Sequence, residues 1–524
     1  CGVKSNCTAI LPLETEFGRK RLIDQSACNQ DFTCVEGFCP SFVSVKGGTP
    51  KKSRAARTAD TSAFGELPAP ESANLDRPFN LLITGVGGTG VITIGALLGM
   101  AGHLEGKGVS VLDMTGMSQK NGSVTSHVRI AAQQADLRAQ RIATGEADVI
   151  LGCDMLTAGA ADAIAKAAPG RTTAIINGHE QPTGKFAQER DWAFPDAQVR
   201  ALIDESVEGK AHYFDATRIA TALLGDSIAT NLFMLGYAFQ KGLVPVGAQA
   251  LDRAIELNGV AVEANRQAFL WGRRMAVWPE LVEKAATPAK PVTVNLPQSL
   301  DTLVKRRVEF LTAYQNAAYA RQFESFVQGV REAEAKFNGG DRIAKAVAGS
   351  LFKLMAYKDE YEVARLYSNG DFEARVRGAF DGDYKITYHL APPLFAKRDS
   401  QGHLVKREYG AWMKPAFGLL AKFRFLRGSP LDPFGKTDER RTERALVERY
   451  RSSVSAALQK LHAGNHASVL ELAQLPDQIR GFGHVKEQAL KAVQDRWTEL
   501  ESVIGNPGAA APSSQSPASG KIAA

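Results

Sequence analysis

The 524 residues contain no run of about 18 apolar residues, so the sequence offers no membrane-spanning helix. No charged stretch followed by an apolar core opens it, so no cleaved signal peptide is visible. Acidic and basic residues are nearly balanced, 56 against 63, and the basic ones do not gather with aromatics into a stripe. That excludes nucleic acid as an expected partner and leaves room for a basic dock for an acidic electron carrier or a phosphorylated cofactor. Histidine is scarce, with nine copies. His462 and His466 have i,i+4 spacing, but no glutamate-containing zinc motif surrounds them, and a surface helix pair is expected. There is no internal repeat and no intact Cys-x2-Cys pair. The first residue is Cys1, not Met, and the expectation is a chain cut from something longer.

What is present is an ordinary globular composition, 44% hydrophobic and 23% charged, enough for two to four domains. Residues 1–47 are rich in cysteine and turns. Residues 48–77 and 286–300 read as linkers rich in Pro, Ala, Ser and charge. Residues 78–285 alternate short apolar runs with helical stretches, and 301–505 carry long amphipathic helical patterns with one interruption near 380–410. Residues 506–524 are low in complexity and expected to be disordered. The fold class expected is α/β plus mainly α. A cytoplasmic location is expected.

Five of the six cysteines, Cys1, Cys7, Cys28, Cys34 and Cys39, fall in the first 39 residues. Five is odd for a disulfide framework. Zinc prefers two Cys-x2-Cys pairs. Iron–sulfur clusters take thiolates from a compact turn-rich segment that often ends in Cys-Pro, and Cys34-x4-Cys39-Pro40 has that ending. Spacing alone ranks iron–sulfur first, zinc second and a bare structural role last. Residues 14–26 suit a hairpin between cysteine groups. Its Arg19, Lys20 and Arg21 would raise the potential of a nearby cluster, unless they form a solvated turn.

Residues 79–84, FNLLIT, read as a buried strand running into Gly85-Val86-Gly87-Gly88-Thr89-Gly90, and VITIGALLGMAGHLEG then has helical length. Strand, glycine turn and helix in that order fit the dinucleotide fingerprint, with Asp113 in the second strand, 109–114, placed for a ribose. The equally weighted alternative is glycines that only permit close packing. Further strands are expected at 127–131, 147–153, 172–177 and 212–216, with a helix at 156–168, which makes a mostly parallel sheet. The loop 114–126 carries Ser118, Lys120, Asn121, Ser123 and Thr125, which suit a phosphate or carboxylate, or simply turn chemistry.

GVGGTGVITIGALLGMAGHLEGKGV followed by LDMTGMSQKNGSVTSHVRIA resembles the gamma domain of pyruvate and 2-ketoacid ferredoxin oxidoreductases. Many relatives carry Arg-Gly-Gly where this chain has Lys120-Asn121-Gly122. The first 43 residues resemble the ferredoxin-like region of fused indolepyruvate ferredoxin oxidoreductases, and MAYKDEYEVARLY and YHLAPPLFA resemble the helical domain after their gamma domain. The resemblance implies a ferredoxin-like iron–sulfur segment, a Rossmann-like gamma domain and a helical C-terminal domain. It implies CoA-dependent oxidative decarboxylation of an arylpyruvate or other 2-oxoacid, with electrons leaving through [4Fe-4S] clusters to ferredoxin, in a homo-oligomer. Cys1, Cys7, Cys28, Cys34 and Cys39 would then be cluster ligands. Gly85, Gly87, Gly88, Thr89, Gly90, Lys120, Asn121 and Ser123 would line a cofactor or CoA contact. The Gly-Asp-Gly motif for thiamine diphosphate and Mg²⁺ is missing from this sequence and expected upstream. The alternatives are an NAD(P)- or flavin-dependent oxidoreductase and a non-enzymatic zinc-bound assembly module.

Other polar features take quieter expectations. Cys153 reads as a buried strand end. Residues 438–451 read as a salt-bridged helix face. Lys358, Asp359, Glu360, Tyr361 and Arg365 read as surface ion pairs.

Overall fold

The structure is a computed structural model. It describes residues 7–505 apart from 8, 26–27, 29, 38, 52–62, 72, 89, 117–121, 184–185, 187–191, 288–298, 338–339, 393–395, 398–399 and 401–403. Strands of three residues or more run, in chain order, β1 (Ile10–Leu13), β2 (Lys20–Ile23), β3 (Val43–Lys46), β4 (Phe79–Val86), β5 (Gly108–Thr115), β6 (Ser123–Ala131), β7 (Val149–Gly152), β8 (Thr173–Asn177), β9 (Ala211–Phe214), β10 (Lys385–Leu390) and β11 (Arg407–Tyr409). Two compact units divide the chain. One joins Gly2–Asp31 to Pro50–Val294, and the other joins Phe32–Thr49 to Asn295–Ala524.

The first unit is built on a six-stranded sheet of order β9-β8-β7-β4-β6-β5. The apolar run of β4 places it in the middle, because a strand flanked by neighbours and covered on both faces has no polar side to offer. β4, β7, β8 and β9 run parallel, whereas β6 pairs antiparallel with both β4 and β5. The sheet is thus mostly parallel, as expected, with an antiparallel edge. One apolar core lies on the face carrying Leu81 and Ile83, and a second lies on the face carrying Leu82 and Ile150. The helix α1 (Val91–Leu104) covers the first face. It lies close because Gly95, Gly99 and Gly102 face the sheet: a Cβ would overlap Ser126 Oγ at the first, and would stand 2.9 Å from Val111 and 2.6 Å from Val109 at the others. Two further helices, α2 (Thr230–Gln240) and α3 (Val262–Val277), cross through Gly236 and Gly272, whose Cβ positions overlap the carbonyl oxygens of Phe269 and Phe233.

The expected helix over 156–168 is two short ones, Met155–Ala158 and Ala161–Ile164, interrupted at Gly159 and Ala160. A hairpin does lie between cysteine groups, but it starts earlier than the expected 14–26: β1 pairs with β2 in register Ile10↔Ile23 to Leu13↔Lys20, and residues 14–19 form its turn. Arg19 pairs with Glu14 and donates to the Trp192 carbonyl at 3.3 Å, and Arg21 lies over the Phe186 ring.

The second unit is mainly helical. Helices 300–314, 317–335, 342–355, 438–459, 466–474 and 484–505 enclose a core that includes Tyr314, Phe323, Leu351, Tyr450 and Trp497. The interruption near 380–410 forms β10 and β11. β3 joins them to give the order β11-β10-β3, in antiparallel register from Lys46↔Lys385 to Val43↔Tyr388. A small aromatic core of Tyr367, Tyr388 and Phe417 backs this sheet.

Candidate functional site

The glycine turn leaves β4 at the carboxyl edge of the parallel strands, the edge where open α/β sheets take ligands. Gly85 still pairs with Val124, and the Gly87 N–H donates to the Gly122 carbonyl at 2.8 Å. Gly88 and Gly90 have φ of +88° and +89°, a region that L side chains avoid. Gly90 begins α1, so the helix's unpaired N–H groups open onto the turn. Among the described residues a Cβ at Gly88 would meet nothing within 4 Å, whereas one at Gly90 would stand 3.0 Å from Nδ2 of buried Asn231. The register Val86↔Ser123 brings Ser123 to the same edge. Thr89, Lys120 and Asn121 lie outside the described residues.

Asp113 is placed differently from the expectation. It is exposed on β5, and β6 stands between β5 and the glycine strand. A dinucleotide half-fold needs the acid's strand next to the glycine strand and parallel to it. One intervening strand moves Asp113 about 10 Å sideways. The glycines make the turn, but the ribose partner does not follow.

Neighbouring strand ends carry a polar network that the sequence reading missed. Asn177, ending β8, donates to the Cys153 carbonyl at 3.0 Å and to Thr217 Oγ1 at 2.8 Å, and its Oδ1 accepts from the Ala216 N–H. His179 Nδ1 lies 3.2 Å from Asp215, which also accepts from the Arg218 N–H. Burial favours the neutral Asp215 carboxyl, but the His179 hydrogen bond and the Arg218 N–H outweigh it and hold the group below the usual range. Asp154, buried at the start of Met155–Ala158, is pushed up by burial despite accepting from Thr157. Burial pushes the Cys153 thiol up to about 12, so it is inert, in line with a buried strand end. The available signal was position: each of these residues ends or directly follows an apolar strand.

The cysteines divide between the units. Cys7 and Cys28 belong with the sheet domain, Cys34 and Cys39 with the helical one, and Cys1 lies outside the described residues. Among the described residues, no three His, Cys, Asp or Glu side chains stand together as a metal-holding group. Cys34 and Cys39 do fit two positions of a thiolate-bound anionic group. They lie on and just after the one-turn helix Thr33–Glu36, and the Lys406 ammonium donates to the carbonyls of Val35 at 2.9 Å and Cys39 at 2.6 Å. Burial draws Lys406 below its ordinary value, and the charges of Cys39 and Cys34 oppose that pull.

Three quieter expectations need correction. Asp359 and Tyr361 are buried, not surface groups, because Asp359 pairs with buried Arg427. Arg440 and Glu443 of the 438–451 stretch are also buried and paired, while Arg441 and Arg451 keep exposed partners. His466 is no surface partner of His462: its Nε2 lies 3.8 Å from Glu334, which is wholly buried.

A family model described as "Pyruvate ferredoxin/flavodoxin oxidoreductase" matches residues 80–275. This part of the chain is thus similar to the pyruvate ferredoxin/flavodoxin oxidoreductases. The chain is 29% identical over 204 residues to the indolepyruvate oxidoreductase subunit IorB of Pyrococcus horikoshii, covering 38% of this chain and 96% of that one. The counterpart from Thermococcus kodakarensis is 27% identical over the same shares. A solved keto/oxoacid ferredoxin oxidoreductase gamma subunit from Geobacter sulfurreducens is 20% identical, covers 38% of this chain and 98% of that chain, and has a TM-score of 0.28. Residues 300–499 match a family of unknown function (DUF6537). Among the described residues, no helix is long and apolar enough to cross a membrane.

Proposed function

We propose that this chain is the gamma-domain and electron-exit portion of a 2-oxoacid ferredoxin oxidoreductase acting on indolepyruvate or a similar arylpyruvate. The observation that carries the reading is the similarity of the oxidoreductase domain to the indolepyruvate oxidoreductase subunits over 96% of their length. In the reaction, a 2-oxoacid and CoA give an acyl-CoA and CO₂, and two electrons pass to two ferredoxins. When bound, an iron–sulfur cluster supplies one-electron carriage. Cys1, Cys7, Cys28, Cys34 and Cys39 are the thiolates assigned to such clusters, with none allotted to a particular one. Chemistry on thiamine diphosphate is not assigned to these residues, because the sequence holds no Gly-Asp-Gly pair for it. The working assembly is a homo-oligomer.

The turn Gly85–Gly90 and Ser123, with Thr89, Lys120 and Asn121 beside them in sequence, take the phosphate-bearing part of CoA. Support comes from the left-handed Gly88 and Gly90, the N–H groups at the start of α1, and the open space above Gly88. Asp113's place on the edge strand weighs against a dinucleotide there.

The test is to purify the native protein without oxygen, measure iron, zinc and acid-labile sulfide, and follow dye or ferredoxin reduction with arylpyruvate and CoA. Iron, sulfide and CoA-dependent reduction are expected. A colourless zinc protein, or NAD-linked turnover without thiamine diphosphate, would refute the reading.

A further inference from the structure

The helical unit holds one stretch of the cysteine-rich segment by four separate ties. β3 adds to β10 as a third strand. Ser44 Oγ meets His389 Nε2 at 2.8 Å in a buried pair. The Tyr367 hydroxyl donates to the Pro40 carbonyl. Lys406 spans the turn itself through Val35 and Cys39.

These ties answer a local problem. A four-residue helix cannot satisfy its own last carbonyls, and Lys406 meets one of them, at Val35. Phe32, just before that helix, is a non-glycine residue at φ +58°, and it is 51% exposed, so its own packing does not hold it there. Such a conformation is costly for a residue with a Cβ and persists only where the surroundings impose it. The tie also has a chemical side. An ammonium donates three hydrogen bonds and accepts none, and two of its donors are committed to backbone beside two thiols. The positive charge is thereby fixed close to Cys34 and Cys39, where a flexible surface lysine would wander in solvent.

We infer that Lys406 is a positioning residue that clamps the Cys34–Cys39 turn and fixes a positive charge beside it, which gives the 300–499 domain the role of holding and tuning an electron-carrying thiolate site. This rests on the reading that Cys34 and Cys39 bind iron. A fixed cation next to an anionic cluster favours the reduced state, so its removal lowers the potential.

The experiment compares wild type, Lys406→Met and Lys406→Arg as anaerobically purified native protein. Iron content, hydrogen exchange of residues 33–46 and the cluster midpoint potential are measured. Lys406→Met is expected to speed exchange across 33–41 about tenfold or more, as loss of two charge-assisted hydrogen bonds predicts, and to lower the potential. Lys406→Arg keeps the charge and should hold the wild-type potential. Should Lys406→Met not fold, Tyr367→Phe removes only the hydrogen bond to Pro40 and should speed exchange near residue 41. Iron-loaded wild type, with exchange unchanged in either variant and potential unchanged in Lys406→Met, overturns the inference alone. Wild type lacking iron and acid-labile sulfide overturns the functional reading beneath it.

Discussion

Arg427 and Asp359 face each other with both side chains only 3% exposed, through bonds of 2.5 and 2.8 Å. The guanidinium also lies 3.6 Å over the Tyr314 ring and donates to the Tyr314 carbonyl at 2.6 Å. Removal of one partner leaves a buried charge uncompensated, at about 3–5 kcal/mol. Arg427→Met and Asp359→Asn should each lower stability by roughly that amount in urea unfolding. The double variant should be much less damaging than the sum. Simple additivity would show that the pair is not coupled.

The crossing of α2 and α3 tolerates no side chain at Gly272, since a Cβ would overlap the Phe233 carbonyl oxygen, which is backbone and cannot rotate away. Gly272→Ala should cost about 1–3 kcal/mol or more. Gly349, inside helix Arg342–Met355, meets nothing within 4 Å, and Gly349→Ala should stabilise by about 0.5–1 kcal/mol. Melting temperatures moving in the same direction would contradict this account.

His127 is fully buried on β6, with Nδ1 accepting from the Ile142 N–H at 3.2 Å. Burial, with Arg141 and Lys166 adding to it, lowers its pKa to about 4. The unfolded chain, titrating near 6.5, therefore binds a proton that the folded state refuses. Stability is intact above about pH 6.5 and declines as pH falls toward 4, by about 3 kcal/mol in all. In His127→Asn, an amide oxygen can replace Nδ1 as acceptor, and the slope between pH 6.5 and 4 should flatten. An unchanged slope in denaturant midpoints would clear His127 of this role.

Gly90→Ala places a Cβ in a left-handed turn and 3.0 Å from Asn231. It should weaken CoA binding measured by calorimetry. Gly106→Ala, at φ +71° with nothing within 4 Å, bears similar backbone strain at the far end of α1 and should leave CoA binding alone. Equal losses in the two variants would remove the glycine turn from the ligand site.

The strands of the six-stranded sheet are legible because each is a short apolar run with turn residues around it, and β4 and α1 lie almost where periodicity puts them. The direction of β6 was not read, although a clue was available. Only seven residues separate Thr115 from Ser123, too few for the crossover that parallel neighbours require. Asp113 was assigned to a ribose for want of that step. The stretch 156–168 has the alanine content of one helix, but Gly159 and Ala160 interrupt it. Burial of Asp359 could not be seen locally, since Arg427 lies 68 residues on. The polar strand ends Asn177 and Asp215 lack any motif, and only their assembly along one sheet edge makes them candidates.

β3 waits for β10, whose Lys385 lies 339 residues beyond Lys46. A ribosome adding about 5–20 residues per second needs roughly 20–70 s to cover that distance. For nearly all of that interval the stretch that carries Cys34 and Cys39 has neither Lys406 nor Tyr367 to order it. Ordering of this stretch by those ties is therefore a late event in biosynthesis, timed by completion of the helical half of the chain.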